Sequence, residues 1–278
     1  MRHDQTHARR RLARALGGAT LAVALTATAA CGGSGGDSTS SASSSSSSSG
    51  SSSSSEPLTK SDLGDRLSSA IDKAGSFTFT LQGTAAGQAT KGEGKVDLSG
   101  STPLVDSTST VAGQEVQTRI VDGVYYLKSA ALVPGGKWLK IDPKAKSGIG
   151  ALLGQLGGNS DPSQQLKALS KATSVTPKGT EEIDGTATRA YEVEVPGAAY
   201  GAAIGFPETL AKELPDTLTY TVNVDDDDLL RRLESSIAVR NVKTETSVTF
   251  SDFGDDVSVS APPAGQTTTK SSVPGLSG

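Results

Sequence analysis

The chain has 278 residues, with 26 basic and 30 acidic side chains and a formal net charge of −4. Five arginines but only one acid lie in residues 1–30, so the remaining chain is more acidic than the total suggests. Dispersed charge with an acidic balance argues against nucleic-acid binding, which needs a clustered basic face. The hydrophobic content of 35% is enough for one folded domain with its own core.

Residues 1–30 have the layout of a secretory signal peptide. Arginines are concentrated in residues 9–14, and an apolar run follows from Ala15 to Ala30. A membrane-spanning helix needs roughly 20 apolar residues, and this run is shorter. A charged start, a short apolar segment and small residues at its end are typical of a cleaved export signal. An uncleaved anchor helix is the alternative, and the arginine cluster also loosely resembles a twin-arginine signal.

Cys31 is the only cysteine of the chain, and it follows the apolar run directly. Residues Thr28-Ala29-Ala30 before it and Gly32 after it resemble a bacterial lipobox, with Thr28 standing where an aliphatic residue is usual. A single cysteine cannot form an intramolecular disulfide. We therefore predict that Cys31 is the lipidated N-terminus, carrying palmitate-type acyl chains, because several chains give stable membrane anchoring. The expected location is the extracytoplasmic face of the plasma membrane.

Domain boundaries follow from composition. Residues 31–55 are almost entirely Ser and Gly after the cysteine, which predicts a disordered tether. Residues 56–263 carry the periodic patterns and form the predicted folded domain. Residues 264–278 are rich in Thr, Ser and Gly, and we expect a disordered tail there.

The folded domain begins with a predicted amphipathic helix and continues mainly as strands. Leu63, Leu67 and Ile71 recur at helical spacing, with Ser61 as the expected cap and Gly75 as the stop. Asp122-Gly123 and Asp184-Gly185 are turn signals of the hairpin type. Alternating or apolar runs predict strands at residues 76–81, 94–98, 104–111, 115–121, 124–127, 137–141, 187–195, 218–224, 237–242, 245–250 and 257–260.

Shorter helices are predicted between the strands, at residues 149–156, 164–172 and 206–214. Strands with one apolar face and one polar face are typical of an antiparallel sheet that is solvated on one side. The fold class we predict is α+β: a strongly curved antiparallel sheet, or half-barrel, with helices on its concave face. Trp138 is expected in the core.

Catalytic and metal-binding chemistry is scarce in this sequence. Both histidines, His3 and His7, lie in the signal peptide, so catalytic triads and His/Cys metal sites are unavailable. The acidic run from Asp225 to Asp228 lacks the register of a calcium loop. We interpret it as a solvated turn that caps a helix at residues 229–234, where acids suit the N-terminus. We expect no enzymatic activity and no cofactor.

Two apolar segments are rich in glycine and alanine, at residues 149–156 and 198–206. Pliable segments of this kind over a concave sheet would gate a cavity, whereas the simpler interpretation is that they cover an ordinary core. The residues alone leave these alternatives open.

The folded region resembles the LppX/LprAFG family of actinobacterial lipoproteins. The resemblance rests on the order and spacing of RIVDGVYYL from Arg119, KWLKID from Lys137, Asp161-Pro162, IDGTATRAY from Ile183, and SDFG from Ser251 ahead of Val257 and Ala261-Pro262-Pro263. It covers essentially all of residues 56–263.

This resemblance implies a hydrophobic cavity that holds the acyl chains of a glycolipid or phospholipid and carries the lipid, without catalysis, from the plasma membrane through the cell envelope. It leaves a membrane transporter as a candidate partner and favours a monomer. The expected cavity lining is Phe77, Phe79, Leu81, Ile120, Tyr126, Leu152, Leu153, Leu156, Leu169, Tyr191, Val193 and Val222. A cargo-free envelope scaffold is the main alternative, and a carboxylate hydrolase is the weakest.

Overall fold

The structure is a computed structural model, and it describes residues 56–111, 113–133, 135–144, 166, 168–205, 208–239 and 242–270. The signal peptide, Cys31, the tether and the apolar segment at residues 149–156 lie outside the described residues, as do the predicted helix starts at residues 161–165 and 206–207. No helix among the described residues is both long enough and apolar enough to cross a membrane.

The first element is helix α1, Leu63–Ala74, as the periodicity predicts. Its buried face carries Leu63, Leu67 and Ile71, and Gly75 ends it in the left-handed conformation, with φ of 76°. A glycine at this position carries no Cβ penalty for the left-handed turn. Asp62 rather than Ser61 is the N-cap residue, and its side chain accepts hydrogen bonds from Thr59 outside the helix.

Twelve strands follow and form one open sheet. Their bounds are β1 Ser76–Ala85, β2 Gln88–Asp97, β3 Leu104–Val111, β4 Gln114–Val121, β5 Val124–Lys128, β6 Trp138–Ile141, β7 Ser174–Ile183, β8 Thr186–Pro196, β9 Thr217–Val224, β10 Leu230–Val239, β11 Val242–Ser251 and β12 Thr267–Thr268. Two short helices, α2 (Gly197–Ala203) and α3 (Glu208–Ala211), separate β8 from β9, and Ala264–Gln266 form a 3-10 turn before β12.

The strand order is β12-β6-β5-β4-β3-β2-β1-β11-β10-β9-β8-β7. Every neighbouring pair is antiparallel except β12 with β6, which is parallel. Two meanders, β1 to β6 and β7 to β11, therefore meet where β1 pairs with β11. The predicted Asp-Gly turns at Asp122 and Asp184 are present, with both aspartates and their glycines at positive φ.

The structure differs from the predictions at three places. Residues 230–234 of the predicted helix 229–234 belong to strand β10, because the acidic run forms a tight turn between two paired strands. Residues 257–260 form no strand, and they pair with no strand among the described residues. Strand β7 was not predicted, since its sequence contains Pro177 and Gly179 and most of its residues are exposed.

The expected tail is ordered at its beginning. Thr267 and Thr268 pair with Trp138 and Leu139 of β6, so the folded part of the chain extends to at least residue 270. The prediction of a disordered tail from residue 264 is wrong for these residues, because their backbone groups are taken up by the sheet edge.

One apolar cluster lies on one face of the sheet. It contains the buried face of α1, Leu166 and Leu169, and residues from β1 to β6 and β8 to β10. Trp138 is buried at 6% exposure, but it is not part of this cluster. It packs on the opposite face, with the Arg119 guanidinium 5.0 Å and the Lys128 ammonium 5.7 Å from its ring.

Candidate functional site

The apolar face of the sheet is the candidate site. Strand register aligns its side chains in rows: Tyr191 of β8 opposes Val222 of β9, which opposes Leu233 of β10. Leu233 opposes Val248 of β11, which in turn opposes Leu81 of β1. Because paired residues point to the same face, this row is one continuous apolar stripe across five strands.

Seven of the predicted lining residues share this face, and an eighth, Leu169, belongs to the same cluster. The seven are Phe77, Phe79, Leu81, Ile120, Tyr191, Val193 and Val222. Leu152, Leu153 and Leu156 lie outside the described residues. Whether any of these residues lines a cavity stays a prediction.

Tyr126 does not belong to the set. Ile120 pairs with Tyr125, whereas Tyr126 pairs with Arg119, so Tyr126 points to the opposite face of the sheet. Tyr125 is the member of the apolar cluster. The error has a simple origin, because two adjacent tyrosines in an apolar strand give no alternation to choose between them. The register of the hairpin decides it.

Glycines of β2 make room for an aromatic ring on the apolar face. A Cβ at Gly94 would lie 2.7 Å from the Phe79 ring and 2.7 Å from Ser107 Cβ. Gly94 pairs directly with Phe79, so the ring lies across the glycine backbone. At Gly92 the nearest contact of such a Cβ is 3.3 Å, which is less restrictive. The Gly-Glu-Gly pattern of this strand is a signal that sequence reasoning missed.

Segment 198–206, expected to be pliable, is mostly helix. Residues 197–203 form α2, and Gly201 packs against α3, where an added Cβ would lie 2.9 Å from Ala211 Cβ. The glycine therefore permits close helix packing. The ring of Tyr200 lies 5.7 Å from the ring of Tyr220 on β9, so α2 covers part of the apolar face.

Hydroxyl groups interrupt the apolar face in one row. Tyr220 of β9 opposes Ser235 of β10, Ser235 opposes Thr246 of β11, and Thr246 opposes Gly83 of β1. Tyr220, Ser235 and Thr246 are each only 4% exposed. Burial raises the pKa of Tyr220 well above its usual range, and it raises the pKa of Tyr200 as well.

An arginine–aspartate cluster closes one end of the apolar face. Asp228, in the turn between β9 and β10, accepts two hydrogen bonds from Arg66 of α1, at 2.8 and 3.0 Å. It also accepts a 3.1 Å hydrogen bond from Arg189 of β8. Both arginines donate to the carbonyl oxygen of Glu56, at 2.9 and 3.0 Å. The hydrogen bond to Asp228 raises the pKa of Arg66.

Asp225 stabilises the same turn from inside. It is 5% exposed, and its Oδ1 accepts hydrogen bonds from the backbone N–H groups of Asp227 and Leu229. Its Oδ2 lies 2.6 Å from Nε of Arg231. The acidic run is therefore a hairpin turn built on side-chain hydrogen bonds, and two of its carboxylates are occupied by arginines. Within the described ranges, no group of three or more His, Cys, Asp or Glu residues is arranged to hold a metal ion.

The two best-defined depressions lined by described residues lie away from the apolar face. One is bordered by Gln114, Glu115 and Lys128 with neighbouring small residues. The other lies between α1 and the acidic turn, bordered by Asp65, Arg66 and Asp227 among others. Both are open and charged, so neither is suited to acyl chains.

A family model matches residues 18–257 and is described as a family of unknown function, DUF7537. The chain belongs to the DUF7537 family. No curated protein matches it.

Solved structures similar to this DUF7537 chain include LprF from Mycobacterium bovis. The identity is 16%, the TM-score is 0.50, and the match covers 73% of this chain and 96% of LprF. The lipoprotein LppX from Mycobacterium tuberculosis matches at 18% identity with a TM-score of 0.48, over 70% of this chain and 95% of LppX. At this identity, the likeness to LprF shows a shared fold. The DUF7537 chain thus has the large, mostly antiparallel open sheet that the resemblance implied.

Proposed function

We propose that this protein is a membrane-anchored lipoprotein that binds the acyl chains of a glycolipid or phospholipid against the apolar face of its sheet. In this proposal it carries the lipid, without catalysis, from the plasma membrane through the cell envelope. The observation that supports it best is the extent of one continuous apolar face compared with α1, the one long helix among the described residues.

The sizes of these elements differ by a factor of about three. Twelve strands about 4.8 Å apart would span ~53 Å if the sheet were flat. Helix α1, with 12 residues, is ~18 Å long at 1.5 Å per residue. It runs from β1, which follows it, to the turn beside β8, where Arg66 meets Asp228. That distance corresponds to about four strand spacings, so α1 crosses one half of the sheet at one end only.

The same comparison supports a curved sheet. Val105 of β3, Ile120 of β4 and Tyr191 of β8 belong to one buried cluster together with α1. Strands that far apart share one cluster with a short helix more readily if the sheet wraps around it. In this proposal, acyl chains bind the apolar surface toward the end of the strands away from α1, beside the part that α2 covers.

Lipid extraction needs an apolar surface of this kind. Moving a chain of roughly 16 methylenes out of a bilayer costs about 12 kcal/mol, at ~0.8 kcal/mol for each group. A protein removes lipid only if its own apolar surface replaces the bilayer. Phe79, Leu233 and Ile237 on this face are only partly buried, so they keep apolar surface that acyl chains would contact.

The N-terminal region supports a membrane-anchored position. A tether of about 25 Ser- and Gly-rich residues has a root-mean-square span of roughly 25–30 Å. It joins the domain at Glu56, whose carbonyl oxygen is held by Arg66 and Arg189. Lipidation at Cys31 would keep the end of the sheet that carries this cluster within reach of the bilayer.

The test is native mass spectrometry of the full chain purified from membranes of a lipid-producing host. We expect co-purified lipid in the native protein. Replacing Val193 by Trp, or Leu81 by Trp, should reduce loading several-fold because each indole would occupy apolar space on the binding face. Glu192→Trp places the same group on the other face of the same strand and should leave loading unchanged.

A cargo-free envelope scaffold remains the second candidate, because the described apolar side chains already pack into one buried cluster. It predicts no bound lipid in the same spectra and a protein partner in crosslinking experiments. Equal loading of the Val193→Trp, Leu81→Trp and native chains would contradict the proposed binding face.

A further inference from the structure

The hydroxyl row on the apolar face is the strongest feature that acyl-chain binding leaves unexplained. Tyr220, Ser235 and Thr246 lie side by side on β9, β10 and β11. The row continues past Gly83 to Thr90 of β2. It lies two residues, or about 7 Å, along the strands from the stripe that contains Val222 and Leu233. It therefore lies farther from the arginine–aspartate cluster than this stripe does, with one more row of the face beyond it.

Two hydroxyls of this row are incompletely hydrogen-bonded among the described residues. Thr90 Oγ1 is buried and makes no hydrogen bond there, and the buried Tyr220 Oη has only the Tyr200 hydroxyl as a polar neighbour, at less than ideal geometry. Leaving a buried hydroxyl unsatisfied is unfavourable, and such groups in folded proteins generally meet a ligand or an ordered water. Tyr220 is 96% buried in an apolar environment, with the Tyr200 ring on one side.

The surroundings of the row are uncharged. On one side are Val222, Leu233, Val248 and Leu81, and on the other side the same face carries Leu218, Ile237 and Thr244. A phosphate or other ion would be left without a counter-charge among these residues, and burying it unpaired would be unfavourable. A neutral hydrogen-bond acceptor suits the row.

We propose that this hydroxyl row binds the ester carbonyl groups at the base of the acyl chains of a diacyl or polyacyl lipid. This inference rests on the proposed function and specifies the chemistry that the site recognises. Tyr220 donates a hydrogen bond to one ester carbonyl, and Ser235 and Thr246 offer neighbouring donors. Thr90 donates to an additional ester carbonyl in a polyacyl lipid. The acyl chains extend from there along the stripe of Val222, Leu233, Val248 and Leu81.

The experiment compares an ester lipid with an ether lipid that lacks only the carbonyl groups. The full chain in detergent micelles is incubated with equal amounts of dipalmitoylglycerol and dihexadecylglycerol, and native mass spectrometry gives the ratio of the two bound species. We expect the native protein to prefer the ester by about fivefold for each hydrogen bond formed, the ratio that corresponds to ~1 kcal/mol. Tyr220→Phe and Thr246→Val should each lower this ratio.

Matched controls use the opposite face of the sheet. Tyr126→Phe removes the phenol hydroxyl of a buried tyrosine, and Thr249→Val alters the same strand as Thr246; both should retain the native ratio. Because both lipids compete in one sample, partial unfolding of a variant lowers both signals and leaves the ratio readable.

The outcomes separate the two proposals. Equal binding of ester and ether by the native chain, with acyl-chain binding intact, would overturn the hydroxyl-row inference and leave lipid carriage standing. An ester preference that survives in both Tyr220→Phe and Thr246→Val would also overturn it. Absence of both lipids from the native chain would reject the proposed function together with this inference.

Discussion

At the scale of single residues, Asp228 joins three parts of the chain that are distant in sequence. Its carboxylate receives Arg66 of α1 and Arg189 of β8, and both arginines also bind the Glu56 carbonyl oxygen. Asp228 has φ of 62°, a conformation that aspartate and asparagine tolerate better than most residues. The conspicuous acidic run thus has a structural role. Its carboxylates pair with arginines and do not cap a helix.

Asp228→Asn tests this role because it keeps the side-chain shape and removes the charge. The side chain is 21% exposed, so solvent weakens its ion pairs with the arginines. We expect a loss of about 1–2 kcal/mol in the free energy of unfolding. Urea unfolding measures it, and the loss should shrink in 1 M salt. The neighbouring Asp226→Asn, at an exposed position, should change stability little; an equal loss there would contradict the specific role of Asp228.

A second prediction at this scale concerns the ionisation of Tyr220. Burial raises its pKa in the folded protein above the ordinary value of 10.0, so the neutral phenol is favoured by folding. Its contribution to stability is fully present below about pH 10 and is lost as the pH rises further, because the unfolded chain releases the proton first.

Denaturant titrations between pH 9 and pH 11.5 measure this effect. Above pH 10 the unfolding free energy of the native chain should fall by up to ~1.4 kcal/mol per pH unit more than that of Tyr220→Phe. Thr246→Val, which removes a neighbouring hydroxyl that does not ionise, should follow the native slope. Parallel slopes for native protein and Tyr220→Phe would show that Tyr220 ionises in the folded state.

At the scale of elements, the C-terminal segment covers the face of the sheet opposite the candidate site. Ser260 O accepts a hydrogen bond from Arg119, and β12 pairs with β6 at Trp138. At the other end of the sheet, edge strand β7 contains Pro177 and an irregular register between Pro177 and Gly179. Proline and bulges of this kind discourage the pairing of an exposed edge with another chain.

Deleting residues 264–278 should expose the only tryptophan, Trp138. Its environment would lose the β12 strand, so we expect a red-shifted emission, stronger acrylamide quenching and a stability loss of about 1 kcal/mol. A shorter deletion, of residues 271–278, retains β12 and is the control. Unchanged fluorescence in the longer deletion would mean that β12 does not protect the indole.

At the scale of the whole molecule, the two meanders joined by β1 and β11 present one apolar face, and among the described residues α1 and α2 each pack on part of it. If acyl chains occupy the remainder, lipid binding and folding are linked, because a ligand that binds only the folded state stabilises it. At a free ligand concentration of 100 times Kd, the stabilisation is about 2.7 kcal/mol.

The length of the lipid's acyl chains is the variable that tests this linkage between binding and folding. Among soluble diacyl lipids with one headgroup, affinity for the protein should rise steeply as methylenes are added to the acyl chains. The upper limit is ~0.8 kcal/mol for each methylene buried. The accompanying rise in thermal midpoint should be smaller in Val193→Trp. Affinity that is independent of chain length would indicate headgroup binding at the surface and would favour the scaffold alternative.

Local patterns in the sequence determined much of this protein. The helical spacing of Leu63, Leu67 and Ile71 predicts α1, alternation predicts most strands, and Asp-Gly pairs place two hairpin turns. These predictions succeed because the elements they concern depend mainly on neighbouring residues along the chain. Strand β7 was missed because Pro177 and Gly179 interrupt a mostly polar sequence, and the β10 segment was misassigned because the acidic run before it suits a helix N-terminus as well as a turn.

Tertiary structure decided what no local pattern contains. Register put Tyr125 rather than Tyr126 on the apolar face and aligned Tyr220 with Ser235 and Thr246. Packing turned the acidic run into an arginine-binding turn, and it ordered residues 267–268 against Trp138. The physical reason is the same in each case: a side chain's face and its partners depend on strand register and packing against other segments, which the pattern within one segment does not contain.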